Sequence, residues 1–418
     1  MEELRIGILG NVDSGKSTII SVLKEKILDN GRGLARTKIL KHKHEKDSGR
    51  TSSITHHYYI DKTTHKILSF IDLAGHEKYY KTTMFGVNGC SLDYIIIMIG
   101  SNMGVTKMTT EHLTLALILK IPFIVVFSKI DICPENIFIQ TFNAVKKVLT
   151  KFKIYNELQH IDSFENAHKY YSFKKQKQIP YFKISNVKGN NIDLLRSFLL
   201  NIDTIHNWDL LKMQKKLCTL EDIFFVKGVG IVVSGTMTSG TIVKGDKVML
   251  GPFNGIFHEV LVKSIHDNFK QLIEKIHAGQ SGCFSIKSMD KKFFLKRDKI
   301  KRGMVLLDTH HENHTYSEFE AKIKILHHPT TIKINYETTV HCGPVKQIAK
   351  IINIKSKNNE QRIKDGQEEI DNNYLRTGDS SIVKFRFKKK PEFIQKHKQI
   401  VFREGQTKGI GWITQLIK

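Results

Sequence analysis

The octet Gly10-Asn11-Val12-Asp13-Ser14-Gly15-Lys16-Ser17 limits what this chain can fold into more than any other stretch. It satisfies G-x-x-x-x-G-K-[ST], a loop whose backbone N–H groups curl around phosphate oxygens. Glycines permit the curl, and the N-terminus of the following helix favours an anion. Residues 4–9 form an apolar run of strand length, and residues 18–23 open a helical pattern, so the strand–loop–helix setting is present. In that setting Asn11, Val12, Asp13, Ser14, Gly15, Lys16, Ser17 and Thr18 line the phosphates. Lys16 reaches the β- and γ-phosphates, and Ser17 ligates Mg2+.

The chain has 418 residues, enough for two or three domains, and 40% of them are hydrophobic. No apolar run approaches the length of a membrane span, and the N-terminus lacks the apolar stretch of a signal peptide. Five cysteines without a C-x-x-C suit a reducing compartment and argue against a cysteine-rich metal site. The formal net charge is +25. That points to a polyanionic partner, most simply RNA or a ribonucleoprotein, or else to a lysine-biased solvated surface.

Up to about residue 210, apolar runs at 4–9, 66–71, 94–99, 123–127 and 181–184 alternate with helical patterns near 17–28, 108–120, 138–152 and 191–200. This predicts a mostly parallel sheet covered on both faces. One strand ends at Asp72-Leu73-Ala74-Gly75-His76. Asp72 is placed to hold Mg2+, and Gly75 to offer its N–H to a γ-phosphate. A later strand ends at Ser128-Lys129-Ile130-Asp131. An aspartate there accepts from guanine N1–H and the exocyclic amine, donors that adenine does not present together. The next strand runs into Ser185-Asn186-Val187, where a backbone N–H can meet guanine O6. Taken alone, Ser185 reads rather as a helix cap for Asn190 onward; the order of the other motifs turns the reading to guanine.

These stretches, with Leu28-Asp29-Asn30-Gly31-Arg32-Gly33, His42-Lys43-His44-Glu45, Ser48 to Ser53, Asp72 to Glu77 and Thr110-Glu111-His112-Leu113, resemble a translational GTPase of the elongation-factor-1A/Tu type. The likeness is closer to the eukaryotic GP-one type of GTP-binding proteins, and it covers nearly the whole chain. Relatives of that type carry an extension before the first strand, whereas this chain starts at the strand. The resemblance implies GTP and GDP as ligands with Mg2+, Lys129 packing on the base beside Asp131, and His76 orienting the attacking water. Three positions depart from the family text. Arg50-Thr51-Ser52-Ser53 replaces Arg-Gly-Ile-Thr, so Ser53 is the expected Mg2+ ligand by ungapped count, or Thr51 after a two-residue shift. Ser52 takes the place of the apolar partner of Val12, unless Ile54 substitutes. Ser128 replaces the asparagine that braces base and phosphate loop.

The segment 36–50 sets Arg36, Lys38, Lys41, Lys43, Lys46 and Arg50 against Glu45 and Asp47, which suits an RNA or ribosome contact. Residues in the 160s and 170s, including Lys169 and Lys174, read as a surface insertion. From about residue 218, short apolar runs between glycine turns predict antiparallel barrels. The expected fold is therefore an α/β P-loop GTPase domain, residues 1–212, followed by β-barrels at 213–313 and 314–418. A polar insertion spans 355–372, and no aromatic nucleotide-stacking motif stands out in the barrels. The resemblance implies a cytoplasmic, monomeric GTP hydrolase with no membrane contact. It would handle tRNA or another RNA-bearing partner at the ribosome. The alternatives are an adaptor in mRNA surveillance, decay or ribosome rescue with a release- or decay-factor-like protein partner, and a non-translational subunit such as that of sulfate activation.

Overall fold

The computed structural model describes residues 2–39, 54–151, 157–173, 178–309, 313–326, 328–356, 374–404 and 406–417. Thr51, Ser52 and Ser53 lie outside them, as do most of segment 36–50, Lys174 and nearly all of the 355–372 insertion. The chain falls into two compact units, Met1–Asn207 and Trp208–Lys418.

The first unit runs β1 (Glu2–Gly10), α1 (Lys16–Glu25), α2 (Leu34–Thr37), β2 (Thr55–Asp61), β3 (Lys66–Asp72), α3 (Tyr80–Gly89), β4 (Tyr94–Gly100), α4 (Lys107–Leu119), β5 (Phe123–Ser128), α5 (Glu135–Lys151), β6 (Leu158–His160), α6 (Phe164–His168), β7 (Ile179–Lys183) and α7 (Ile192–Asn201). Its sheet has the order β2-β3-β1-β4-β5-β7-β6. Every pairing is parallel except that of the edge strand β2. Strands β4 and β5 are buried along their whole length, as the continuous runs Tyr94-Ile-Ile-Ile-Met-Ile-Gly100 and Phe123-Ile-Val-Val-Phe-Ser128 require. The parallel register sets Asp72 of β3 opposite Ile8 of β1, so the ends of β1 and β3 deliver the phosphate loop and Asp72 side by side.

One sequence expectation is overturned here. Residues in the 160s and 170s are not merely a surface insertion. Strand β6 extends the sheet beside β7, Ala167 and Phe173 are buried in the core, and Tyr170 and Tyr171 pack against it. A basic flank around Lys169 hid the apolar residues that anchor the segment. Strand β2 was missed for a related reason. Thr55-His-His-Tyr-Tyr-Ile-Asp61 is only half-buried and carries no continuous apolar run.

In the second unit, β8 (Leu217–Val226), β9 (Gly230–Ser239), β11 (Lys247–Phe253), β12 (Ile256–Asp267), β15 (Ser281–Ser288) and β16 (Val305–Asp308) close into an antiparallel barrel through the β11–β12 pairing. The short strand β13 (Leu272–Ile273) extends this sheet beside β12, while β10 (Thr241–Val243) and β14 (Lys275–His277) pair as a separate two-stranded sheet. A second closed barrel has the order β17-β22-β20-β19-β23-β24. Its strands are β17 (Glu318–Ile325), β19 (Glu337–Cys342), β20 (Val345–Ser356), β22 (Ser380–Phe387), β23 (Gln399–Glu404) and β24 (Gln406–Ile417), while β18 (Ile332–Lys333) and β21 (Tyr374–Leu375) pair with each other. Alternation fills each interior: on β17, Phe319, Ala321, Ile323 and Ile325 point in, while Lys322 and Lys324 point out. Closure leaves the six strands of each barrel without a free edge. The lysine run at 388–390 is partly neutralised, with Lys388 paired to Glu337 at 2.8 Å and Lys390 to Glu392 at 3.6 Å.

Candidate nucleotide site

The phosphate loop turns from β1 into α1 through Gly15, whose φ of 89° lies in the left-handed region. The Ser14 hydroxyl donates to the Asn11 carbonyl at 2.8 Å, and the Lys16 ammonium donates to the same oxygen at 2.8 Å. Ser17 Oγ donates to Asp72 Oδ2 at 2.6 Å. Asp13 is exposed, while Asn11, Val12 and Thr18 are half-buried. Burial pushes the Lys16 ammonium below its ordinary range, and Asp72 and then Asp13 pull it back. Gly75 sits directly on this assembly. A Cβ there would lie 2.5 Å from Lys16 Nζ and 2.6 Å from the Gly10 carbonyl oxygen.

His76 follows Gly75 and is half-buried. Its Nδ1 accepts the Lys78 N–H at 3.1 Å, capping a single 3-10 turn, Glu77–Tyr79. With Nδ1 accepting, the neutral ring carries its proton on Nε2. Ile54, the alternative apolar partner for Val12, lies over Gly86 of α3.

Sequence reasoning assigned no role to His112, although Thr110 to Leu113 belongs to the family-like text. The ring is fully buried on α4 and stacked on Tyr80. Neither ring nitrogen has a hydrogen-bond partner among the described residues. Burial, and then the Lys16 charge, push its pKa down to about 3. The available signal was a histidine on the apolar face of a helix, between buried Met108 and Leu115.

The residues expected to meet the base come from the ends of β5 and β7. Ser128, fully buried, donates its hydroxyl to the Ser14 carbonyl at 2.7 Å. It thereby ties the base strand to the phosphate loop. Lys129 takes the left-handed conformation at φ 60° and starts a 3-10 turn that contains the half-buried Asp131. Ser185 Oγ accepts from the N–H groups of Val187 (3.3 Å) and Lys188 (3.0 Å). It therefore caps its own turn, and Asn191 occupies the cap position of α7. The Asn186 carbonyl accepts the Asp29 N–H at 2.9 Å. Asp29 in turn gathers the N–H groups of Gly31, Gly33 and Ala35 at 3.1, 3.2 and 2.8 Å, which explains the residue types in 29–35. The sheet thus brings Lys16, Ser17, Asp72, Gly75, Ser128, Asp131 and Ser185 to Val187 onto the carboxyl ends of its strands, where α/β folds bind ligands.

The model of the elongation factor Tu GTP-binding domain matches residues 1–218. Over 443 residues the chain is 39% identical to GTP-binding protein 1 of Xenopus laevis, covering 100% of this chain and 64% of that protein. The chain therefore spans less than two thirds of that relative's length. It is 35% identical to human GTP-binding protein 2, covering 99% of this chain and 69% of that one. The translation elongation factor SelB of Methanococcus maripaludis, solved with the GTP analogue GppNHp, shares the fold with a TM-score of 0.72 at 19% identity, over 100% of this chain and 80% of that one. On the match to more than half its length, over the unit that carries this site, the chain belongs to the elongation factor Tu GTP-binding domain family.

Proposed function

We propose that this protein binds GTP with Mg2+ and hydrolyses it to GDP and phosphate, coupling turnover to the handling of tRNA or another RNA-bearing partner at the ribosome. The observation that carries this reading is one hydrogen-bonded frame joining both ends of the site. Ser17 meets Asp72 at 2.6 Å, and Ser128 anchors the Asp131 strand to the loop carbonyl of Ser14 at 2.7 Å. A hydroxyl and a carboxylate oxygen side by side form the hard-oxygen set that Mg2+ prefers. Ser17 and Asp72 are thus the residues to hold the ion, which neutralises phosphate charge when bound. Lys16 holds the β- and γ-phosphates, the Gly75 N–H faces the γ-phosphate, and Asp131 reads the N1–H and amine edge of guanine. His76 orients water through Nε2 while the Lys78 N–H fixes its ring.

Charge and exposed aromatics support RNA handling by the barrels. Phe225 on the β8–β9 hairpin is 65% exposed, and Phe294 is 77% exposed beside Lys291, Lys292 and Lys296. Exposed rings among cations suit stacking on unpaired bases. The same hairpin carries exposed Phe224, Val226 and Val229. That apolar tip favours a second reading, an adaptor in mRNA surveillance, decay or ribosome rescue with a protein partner. Crosslinking in the GTP-analogue state separates the two. Enriched tRNA supports the first, a release-factor-like protein supports the second, and capture of neither overturns both. For the chemistry, His76→Ala is expected to keep GTP binding and lose ribosome-stimulated turnover by about 10²–10⁴-fold. Undiminished stimulation would assign the water to another residue.

A further inference from the structure

We infer that the Asn186 carboxamide is a specificity contact, donating from Nδ2 to N7 of the guanine base. This rests on the guanine-nucleotide reading above and adds a side-chain role to a turn from which only a backbone N–H was expected to act. Asn186 is 9% exposed, yet its carboxamide makes no hydrogen bond among the described residues, and Oδ1 is wholly buried. Oδ1 is an acceptor, as guanine N7 is, so what points to the ligand is Nδ2, a donor without a protein partner among the described residues that lies beside the phosphate loop. Its position is held from two sides. The backbone carbonyl is pinned by the Asp29 N–H at 2.9 Å. The amide nitrogen lies against the phosphate loop, 3.3 Å from where a Cβ on Gly15 would stand, with Ser128 Oγ 3.8 Å from the same point. The carboxamide therefore sits where the phosphate loop, the end of β5 and the end of β7 converge.

The chemistry of the base then selects the contact. With Asp131 accepting from N1–H and the amine, the edge of guanine that faces away from the amine presents O6 and N7, both acceptors. Ser128 offers one hydroxyl proton, already donated to Ser14. A backbone N–H of the 185–187 turn serves O6. The remaining acceptor, N7, needs a donor from the loop side of the base, and the Asn186 amide nitrogen is an uncommitted one there. The work of one bracing side chain is thus divided between two strands: Ser128 ties base strand to loop, and Asn186 reads the base.

Binding of GDP and 7-deaza-GDP, in which C–H replaces N7, tests this on the full chain. The wild type is expected to bind GDP about fivefold tighter than 7-deaza-GDP, the worth of one hydrogen bond. Asn186→Ala should weaken GDP to the 7-deaza level and leave 7-deaza-GDP unchanged. Asn186→Asp preserves shape but sets an acceptor against N7, so it should prefer 7-deaza-GDP. Equal binding of the two nucleotides by the wild type, or a wild-type ratio retained in either variant, overturns the assignment. Absence of any GDP binding by the wild type would instead overturn the guanine-nucleotide reading beneath it.

Discussion

At the phosphate end, Gly75 approaches Lys16 and the Gly10 carbonyl so closely that not even a methyl group fits. At the base end, the corresponding tie is a serine hydroxyl on the Ser14 carbonyl, with an asparagine from another strand lying beside it. The first arrangement sets main-chain atoms of the loop and the Lys16 tip against a bare Cα, and strand register dictates it. The second is made of side chains, which can be exchanged between neighbouring strands provided the same atoms reach the base. On the proposed reading, the phosphate end should tolerate almost no change at Gly75, whereas the base end should accept another residue type wherever the same atoms reach the base. Substitutions at Asp131, Gly75, His112 and Ser128 can break or sharpen this contrast.

The largest effect is expected at Asp131, the one base-end residue whose charge nothing nearby can replace. Asp131→Asn exchanges an acceptor pair for an amide that suits xanthine. A site built to hydrogen-bond one base rejects another by factors on the order of 10⁴, so the ratio of GTP to XTP affinity should change on that scale. Competition binding with the two nucleotides measures it. An unchanged ratio would move base recognition to β7 and its turn.

Gly75→Ala probes the main-chain end. The added Cβ would meet Lys16 Nζ at 2.5 Å, the Gly10 oxygen at 2.6 Å and the Asn11 carbonyl carbon at 3.0 Å. The lysine tip can swing away, but the backbone atoms cannot. Overpacking of this kind costs about 1–3 kcal/mol, or about 5- to 150-fold in GTP affinity. Titration with a fluorescent GTP analogue, alongside a melting curve to separate misfolding from lost binding, reads the effect. Near-normal affinity would show that the loop moves away from Gly75 when it binds.

The dryness of the phosphate end is testable through His112. Its pKa is held near 3 in the fold against 6.5 for the free side chain. Between those values the unfolded chain takes up a proton that the folded chain refuses, so stability falls as pH drops from 6.5 toward 3. Above 6.5 the group contributes nothing to the pH dependence. His112→Leu removes the titration, and at pH 5.5 it should gain about 1.4 kcal/mol over the wild type relative to the same comparison at pH 7.5. Denaturant midpoints at the two values decide it. Parallel shifts would mean that water reaches the ring.

The same contrast explains what could be read from the sequence. The phosphate loop, Asp72 and Gly75 were legible because their chemistry forces residue types at fixed places on strand ends. The buried runs of β4 and β5 and the glycine-punctuated barrels declared themselves through periodicity. Strand β2, with two histidines and two tyrosines on a half-buried edge, had no such signal, and the apolar anchors Ala167 and Phe173 were masked by surrounding charge. His112 and the side-chain role proposed for Asn186 were illegible in another way. Each is a polar residue whose meaning depends on burial without a partner, which only tertiary packing reveals. The tie between Ser128 and Ser14 joins residues far apart in sequence and follows only once β1, β4 and β5 lie in order in the sheet.

The smallest expected effect isolates that tie. Ser128→Ala leaves the Ser14 carbonyl without its side-chain donor at a position where Ser128 is fully buried. A neutral hydrogen bond of this kind contributes about 1 kcal/mol, so GDP and GTP affinity should each fall about fivefold. Base preference should stay intact, because Asp131 and the 185–187 turn remain. Ser128→Asn asks the converse question, since it returns to β5 a carboxamide able to reach both loop and base. If the base end works through atoms rather than through residue identity, Ser128→Asn should restore discrimination against 7-deaza-GDP in an Asn186→Ala background. A double variant that binds GDP and 7-deaza-GDP equally would mean that the two strands are not interchangeable. The base end would then be as rigidly specified as the phosphate end.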